Sequence, residues 1–300
     1  MVKKVVRTAV PRVAAINDLS GFGRASLTVA IPILSSMEVQ ACPIPTAVLS
    51  THTTGFKDYC IVDMTDFMRD CVSHWTSMGL TFDAVYSGFL GSSQQMDIVT
   101  DFVESIRRND TLVVIDPVMG DDGKTYGPIT DDMVTRMRTF IGIADIITPN
   151  VTEAAFLLDE PYSEDIDEQT VMDWLPRLAD MGPGIVVVTS VPSPKEEGRL
   201  SGRTSVLAYD RSDERVWKVS CDYIPAHYPG TGDSFTSVLV GSILKGDSLP
   251  LALDRAVQFT TLAIRATFGY RIHPREGILL ERVLDTLRSP VVMSSYELVK

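Results

Sequence analysis

The segment TLVVIDPVMGDDGKTYGPITDDMVTRMRTFIGIADIITPNVTEAAFLL occupies residues 111–158. Its opening run, TLVVI, is short and apolar, and it ends at Asp116-Pro117. That is the pattern of a strand buried on both faces. DDMVTRMRTFIGI then has helical spacing, ADIITPN is a second strand, and VTEAAFLL is a second helix. Strands alternating with helices of this length predict βαβ units and parallel pairing.

The alternation extends in both directions. Upstream, RVAAI (residues 12–16) is a strand, NDLSGFG a loop, and residues 26–37 a helix. VQACPIPTAVL is a strand that Pro43 and Pro45 mark as irregular or at an edge. MTDFMRDCVSHWTSMG is a helix capped by Thr65, FDAVYSGF a strand, and SSQQMDIVTDFVESIRR a helix. Downstream come the helix EQTVMDWLPRLADMG, the strand GIVVVTS and a hairpin turning near Ser212. Helices over residues 231–245 and 251–267 follow, then a last amphipathic helix in REGILLERVLDTL. PVVMSSYELVK has no assigned role. The expected fold class is α/β, a three-layer α/β/α sandwich around a mostly parallel central sheet, with residues 1–300 as a single domain.

The 300 residues carry a net charge of −12. Such a chain has no electrostatic attraction for a polyphosphate backbone, so nucleic acid is not an expected partner. The four cysteines (Cys42, Cys60, Cys71, Cys221) have neither zinc nor disulfide spacing, which suits the cytoplasm. The first residues lack the apolar core of a signal peptide, and no run reaches membrane-spanning length.

Ligands of such sheets collect beyond the carboxyl ends of the strands. Three acidic motifs fall at that edge. Gly230-Thr231-Gly232-Asp233 opens a helix, where backbone N–H groups favour an anion. A carboxylate there is either a helix cap or a base facing an acceptor hydroxyl. An ordinary or lowered pKa suffices for the second role, because the loose transition state of phosphoryl transfer needs its proton removed late. Asp116, Asp121 and Asp122 follow a buried strand and suit Mg²⁺, or form a solvated turn. Asn150 and Glu153, three apart at a helix start, suit the same site or a capping box. No GxxxxGK[ST] is present, which excludes a P-loop. Gly21-x-Gly23-x-x-Ser26 is a weak dinucleotide fingerprint, and it keeps an NAD(P)-dependent oxidoreductase as a minor alternative.

IDPVMGD, ADIITPNVTEA, VVVTS and GTGDSF, in this order and spacing, resemble the ribokinase-like superfamily and, within it, the pyridoxal kinases. The resemblance spans roughly residues 12–290. It implies an ATP-dependent kinase that phosphorylates the 5′-hydroxymethyl group of pyridoxal, pyridoxine or pyridoxamine. Asp233 is the implied base, and Gly230, Thr231 and Gly232 the implied anion hole. Asp116, Asp121, Asn150, Glu153, Thr189 and Ser190 are implied at ATP. Lys124 and Tyr126 lie in DGKTY, which matches a mobile loop over the nucleotide. Mg²⁺ is implied at Asp116 and Glu153, with a monovalent cation such as K⁺ left open. Asn17, Asp18, Thr53, Thr54, Phe89 and Asp233 are implied at the vitamin. Phe89 either stacks on the ring or packs in the core, and His52 is a structural histidine. Asn17-Asp18 stand where the family often has Ser. DLSGFG is also similar to DPSGGAG of the hydroxymethylpyrimidine phosphate kinases, which usually carry Cys in place of Asp233. The resemblance further implies a homodimer.

Overall fold

The structure is a computed structural model that describes residues 10–192, 202–289 and 294–300. The reading that no signal peptide is present rests largely on residues 1–9, outside the described residues, and residues 290–293 of the C-terminal segment also lie outside them.

In chain order the elements are β1 (Arg12–Phe22), α1 (Leu27–Ser36), β2 (Gln40–Thr51), β3 (Ile61–Asp63), α2 (Thr65–Ser77), β4 (Ala84–Ser87) and α3 (Ser93–Ile106). β5 (Leu112–Ile115), the short hairpin β6 (Gly120–Asp121) and β7 (Lys124–Thr125), α4 (Asp131–Phe140), β8 (Ile146–Ile147) and α5 (Val151–Leu158) follow. Then come α6 (Glu168–Ala179), β9 (Ile185–Pro192), β10 (Arg203–Asp210), β11 (Arg215–Asp222), α7 (Thr231–Lys245), α8 (Leu249–Phe268) and β12 (Tyr296–Leu298).

The main sheet runs β12-β11-β10-β9-β8-β5-β4-β1-β2-β3. From β9 to β2 every pairing is parallel, and antiparallel strands close both edges. Alternation along each central strand separates two cores. Ala14, Ile16, Val113, Ile115, Val186 and Val188 pack with the faces of α2 to α6. Val13, Ala15, Val114 and Val187 pack with α1, α7 and α8. Helices therefore cover both faces, and the expected three layers are present.

Several local expectations change. NDLSGFG is not a loop, because β1 continues to Phe22 against β2, with a register shift between Asn17 and Leu19. Pro43 and Pro45 lie in the part of β2 that β3 leaves uncovered, so their missing N–H groups disturb no outer ladder. Thr65 is the first residue of α2, and Met64 occupies the cap position. The last amphipathic segment forms short 3₁₀ turns, Pro274–Glu276, Leu280–Arg282 and Leu284–Arg288, instead of an α-helix. Pro274 and the positive φ of Gly277 (78°) interrupt it, while Ile278, Leu280, Val283 and Leu287 still reach the core. The C-terminal residues, which had no assigned role, supply β12 at the sheet edge, where Tyr296 to Leu298 pair with Val219 to Trp217.

Candidate active site

One cleft opens at the carboxyl ends of the parallel strands. Asn17 and Asp18 enter it from β1, Asp116 from the end of β5, Asn150 and Glu153 from the start of α5, and Thr189 and Ser190 from β9. Gly230 to Asp233 enter at the start of α7. Thr53, Thr54, Phe89, Asp121 and Tyr126 complete the set of sequence candidates that line it. Lys124, expected in a loop over the nucleotide, sits exposed on the β6–β7 hairpin outside the cleft lining. The tight turn at Asp122 and Gly123, both with positive φ, places it there.

The two helix starts differ. At α5 the Asn150 side chain accepts from Glu153 N (2.9 Å) and Glu153 Oε2 accepts from Asn150 N (2.9 Å), a complete capping box. Glu153 Oε1 also accepts from Met119 N (3.0 Å), and Asn150 Nδ2 donates to Gly120 O (2.8 Å). The box ties α5 to the loop after β5. At α7 no side chain caps the helix. Gly230 has φ 82°, and a methyl group there would meet Arg24 O at 2.2 Å. Only glycine fits, so the backbone turns tightly and the first N–H groups of α7 stay open to the cleft.

Asp233 does not serve its own helix. Its Oδ1 accepts from Asn17 Nδ2 (2.9 Å) and its Oδ2 from Ser26 N (2.8 Å). Burial pushes its pKa up to about 6, with the Asp18 charge adding to that, while Ser26 N–H and the Asn17 amide oppose it. Sequence reasoning expected an ordinary or lowered value. The carboxylate is still mostly ionised above neutrality, as a proton acceptor must be. Burial and the Asp233 charge push Asp116 up to about 8. Glu153 rises through burial and the Asp116 charge. Burial likewise raises Asp18 and Asp121.

Five carboxylates thus line a cleft to which no Lys or Arg contributes among the described residues. Such a site calls for bound cations before it can accept a polyphosphate. The donor chemistry fits a hard divalent ion, which takes oxygen ligands. Asp116 is the better-placed holder. Both oxygens of Glu153 already accept backbone N–H groups, so it offers a metal only its remaining lone pairs.

Several lining residues escaped the sequence reading. Ser26 acts through its backbone N–H, which no side-chain pattern reveals. That bond also disposes of the dinucleotide fingerprint, because the N–H at the start of α1 that a phosphate would need is taken by Asp233. His227, three residues before Gly230, reaches Asp121 across the cleft mouth (Nδ1 to Oδ2, 3.5 Å), and its position beside GTGD was its only sequence signal. His52 lines the cleft as well. Its Nε2 bonds to Arg275 O (2.6 Å), its ring meets Phe56 edge-on, and burial holds its pKa down. The carbonyl of Arg24 is wedged between two glycines, since a methyl group at Gly277 would also approach it, to 2.7 Å.

A family model described as phosphomethylpyrimidine kinase matches residues 25–276. The pyridoxal kinase of Bos taurus is 30% identical over 234 residues, covering 71% of this chain and 74% of that protein. A crystal structure of the pyridoxal kinase of Lactobacillus plantarum is 32% identical, with a TM-score of 0.83 over 93% of this chain and 97% of that one. The chain belongs to the pyridoxal kinases of the ribokinase-like superfamily. A Bacteroides thetaiotaomicron structure, provisionally described as a phosphomethylpyrimidine kinase and crystallised with pyridoxal, is 53% identical to this kinase. Its TM-score is 0.91 over 97% of this chain and 100% of that one. The chain is accordingly an ATP-dependent kinase acting on a small molecule, and ATP chemistry brings a divalent metal with it. No helix among the described residues is long and apolar enough to cross a membrane.

Proposed function

We propose that this kinase transfers the γ-phosphoryl group of ATP to the 5′-hydroxymethyl oxygen of pyridoxal, pyridoxine or pyridoxamine. One observation carries the reading. Asp233 stands half-buried at an uncapped helix start, held from outside its helix and lining the cleft. In this reading Asp233 takes the alcohol proton as the oxygen attacks phosphorus. The N–H groups of Gly230, Thr231 and Gly232 hold the charge that spreads over the transferring group. Mg²⁺, held by Asp116 with Glu153, supplies countercharge to the phosphates when bound. Asn150, Asp121, Thr189, Ser190 and Tyr126 attend the nucleotide, and Lys124 meets it only if the hairpin moves. Thr53, Thr54, Phe89 and Asp18 surround the pyridine ring, with Phe89 offering its face.

The pyridoxal bound in the 53% identical Bacteroides structure supports the acceptor class. A K⁺ ion would suit the same carboxylate-rich cleft. We also carry forward a single domain, a cytoplasmic setting, which four free cysteines support, and a homodimer, which the exposed Ile61 and Val62 of edge strand β3 support. The deciding experiment is ADP release from Mg²⁺-ATP with each pyridine vitamer and with hydroxymethylpyrimidine. Turnover on the vitamers is expected. Turnover on the pyrimidine alone would sink the acceptor assignment and leave the phosphoryl-transfer site intact.

A further inference from the structure

We propose that Asn17 is the positioning residue of Asp233: its side-chain amide aims the carboxylate into the cleft and keeps it off the start of α7. The inference rests on the reading above only for what Asp233 does, not for how it is held.

Asn17 is 1% exposed. It sits on β1 just past the end of the pairing with β4, whose last partners are Ile16 and Ser87. Its Oδ1 accepts from Phe89 N (2.9 Å) and Asp18 N (3.0 Å). Two backbone donors on one atom fix that atom as oxygen, so the amide orientation follows from the network. The nitrogen must then face the other way, where it lies 2.9 Å from Asp233 Oδ1. A side chain that accepts twice behind and donates in front, at this length, is an asparagine. Gly88 clears the space, because a methyl group there would sit 2.3 Å from Asn17 Nδ2. The backbone N–H of Phe89, which lines the cleft, therefore shares one amide with the base.

The second oxygen is fixed separately. Ser26 N donates to Asp233 Oδ2 from a residue with φ 55°, a conformation that strains an L side chain. The Ser26 hydroxyl is tied to Asp18, which also takes the Ser20 hydroxyl. Asp18 thus braces the cradle from behind, in addition to facing the cleft. With one oxygen drawn toward β1 and the other toward the start of α1, the Asp233 carboxylate is held away from its own helix while lone pairs remain for the cleft.

The test contrasts two substitutions. Asn17→Asp is isosteric and keeps both acceptor bonds, but it puts an oxygen against Asp233 Oδ1. Asn17→Ala removes the whole side chain. At pH 8 the expected loss of kcat is about 100-fold for N17D and about tenfold for N17A, at and below the lower bound of about 100-fold for a lost general base. KM for Mg²⁺-ATP should stay within about twofold of wild type in both, as expected when only a transition-state contact is lost. A packing role predicts the reverse order, with N17D near wild type. A stability cycle makes the same test without turnover. N17D alone should lower Tm by about 3 °C or more, and in a D233N background it should cost little, because the donor and acceptor are then exchanged. Additive losses, or N17D outperforming N17A, would overturn the proposal. Coupled losses in a protein that phosphorylates no vitamer would reject the functional reading and leave the positioning role standing.

Discussion

The starts of α5 and α7 carry an acid at the same position, three residues after the cap, and use it in opposite ways. Glu153 folds back onto Asn150 and closes its helix. Asp233 is drawn away by Asn17 and Ser26, and its helix stays uncapped. The first arrangement consumes an anion site and the second preserves one. What separates them is the cap residue. Asn150 has a side chain that reciprocates, whereas Gly230 has none and adopts a conformation that leaves the N–H groups bare.

The largest effect should follow from breaking the open end. Asp233→Asn is expected to lower kcat by about 10²–10⁴-fold, the range for a lost general base, with Mg²⁺-ATP affinity retained by calorimetry. Near-normal kcat would mean that both acids are structural. Next come the glycines. Gly230→Ala drives a methyl group into Arg24 O, and it should cost about 100-fold or more in kcat, since misplacement of about 1 Å has that effect. Gly232→Ala meets only Asp116 Oδ2 at 3.9 Å and should cost about threefold or less, an ordinary surface contact by comparison. Equal losses would remove the contrast between them.

The acids also separate by pH. Asp233, near 6, and Asp116, near 8, hold protons in the folded state that the unfolded chain has lost above about pH 4. Their contribution to stability is full below about pH 4 and is lost as pH rises to about 8. Without a divalent ion, Tm should therefore fall between pH 5 and pH 8. Asp116→Asn should flatten the fall, and Mg²⁺ should raise Tm more at pH 8 than at pH 5. A Tm that rises over this interval would contradict the assigned shifts. The smallest effect belongs to the closed end. Asn150→Ala should cost about 1 kcal/mol in a denaturant titration, the usual worth of a cap.

Much of this contrast was already visible in the residues. Apolar strand runs ending in Asp116, Asn150 and Thr189 announced a parallel sheet with a polar edge, and the cleft lies there. For Asp233 pattern alone could not choose between cap and base, nor for Glu153 between capping box and metal site. The partners that decide, Asn17 and Ser26, are more than 200 residues from Asp233 in sequence. The extension of β1 through Gly21 was hidden because pairing with β2, not local propensity, sustains it. β12 was hidden for the same reason, being three residues held wholly by β11. REGILLERVLDTL read as a helix because its apolar spacing serves 3₁₀ turns equally well once Gly277 bends the chain.

The Arg24 carbonyl, wedged between Gly230 and Gly277, has a practical meaning for anyone redesigning this enzyme. Three segments far apart in the chain meet there with no slack, so a library that varies any of them should return mostly inactive clones. The side chains of Thr53, Thr54 and Phe89 also line the cleft, are partly exposed and do not meet that carbonyl's glycines. New acceptors should be sought by diversifying those three positions while the phosphoryl-transfer end is left untouched.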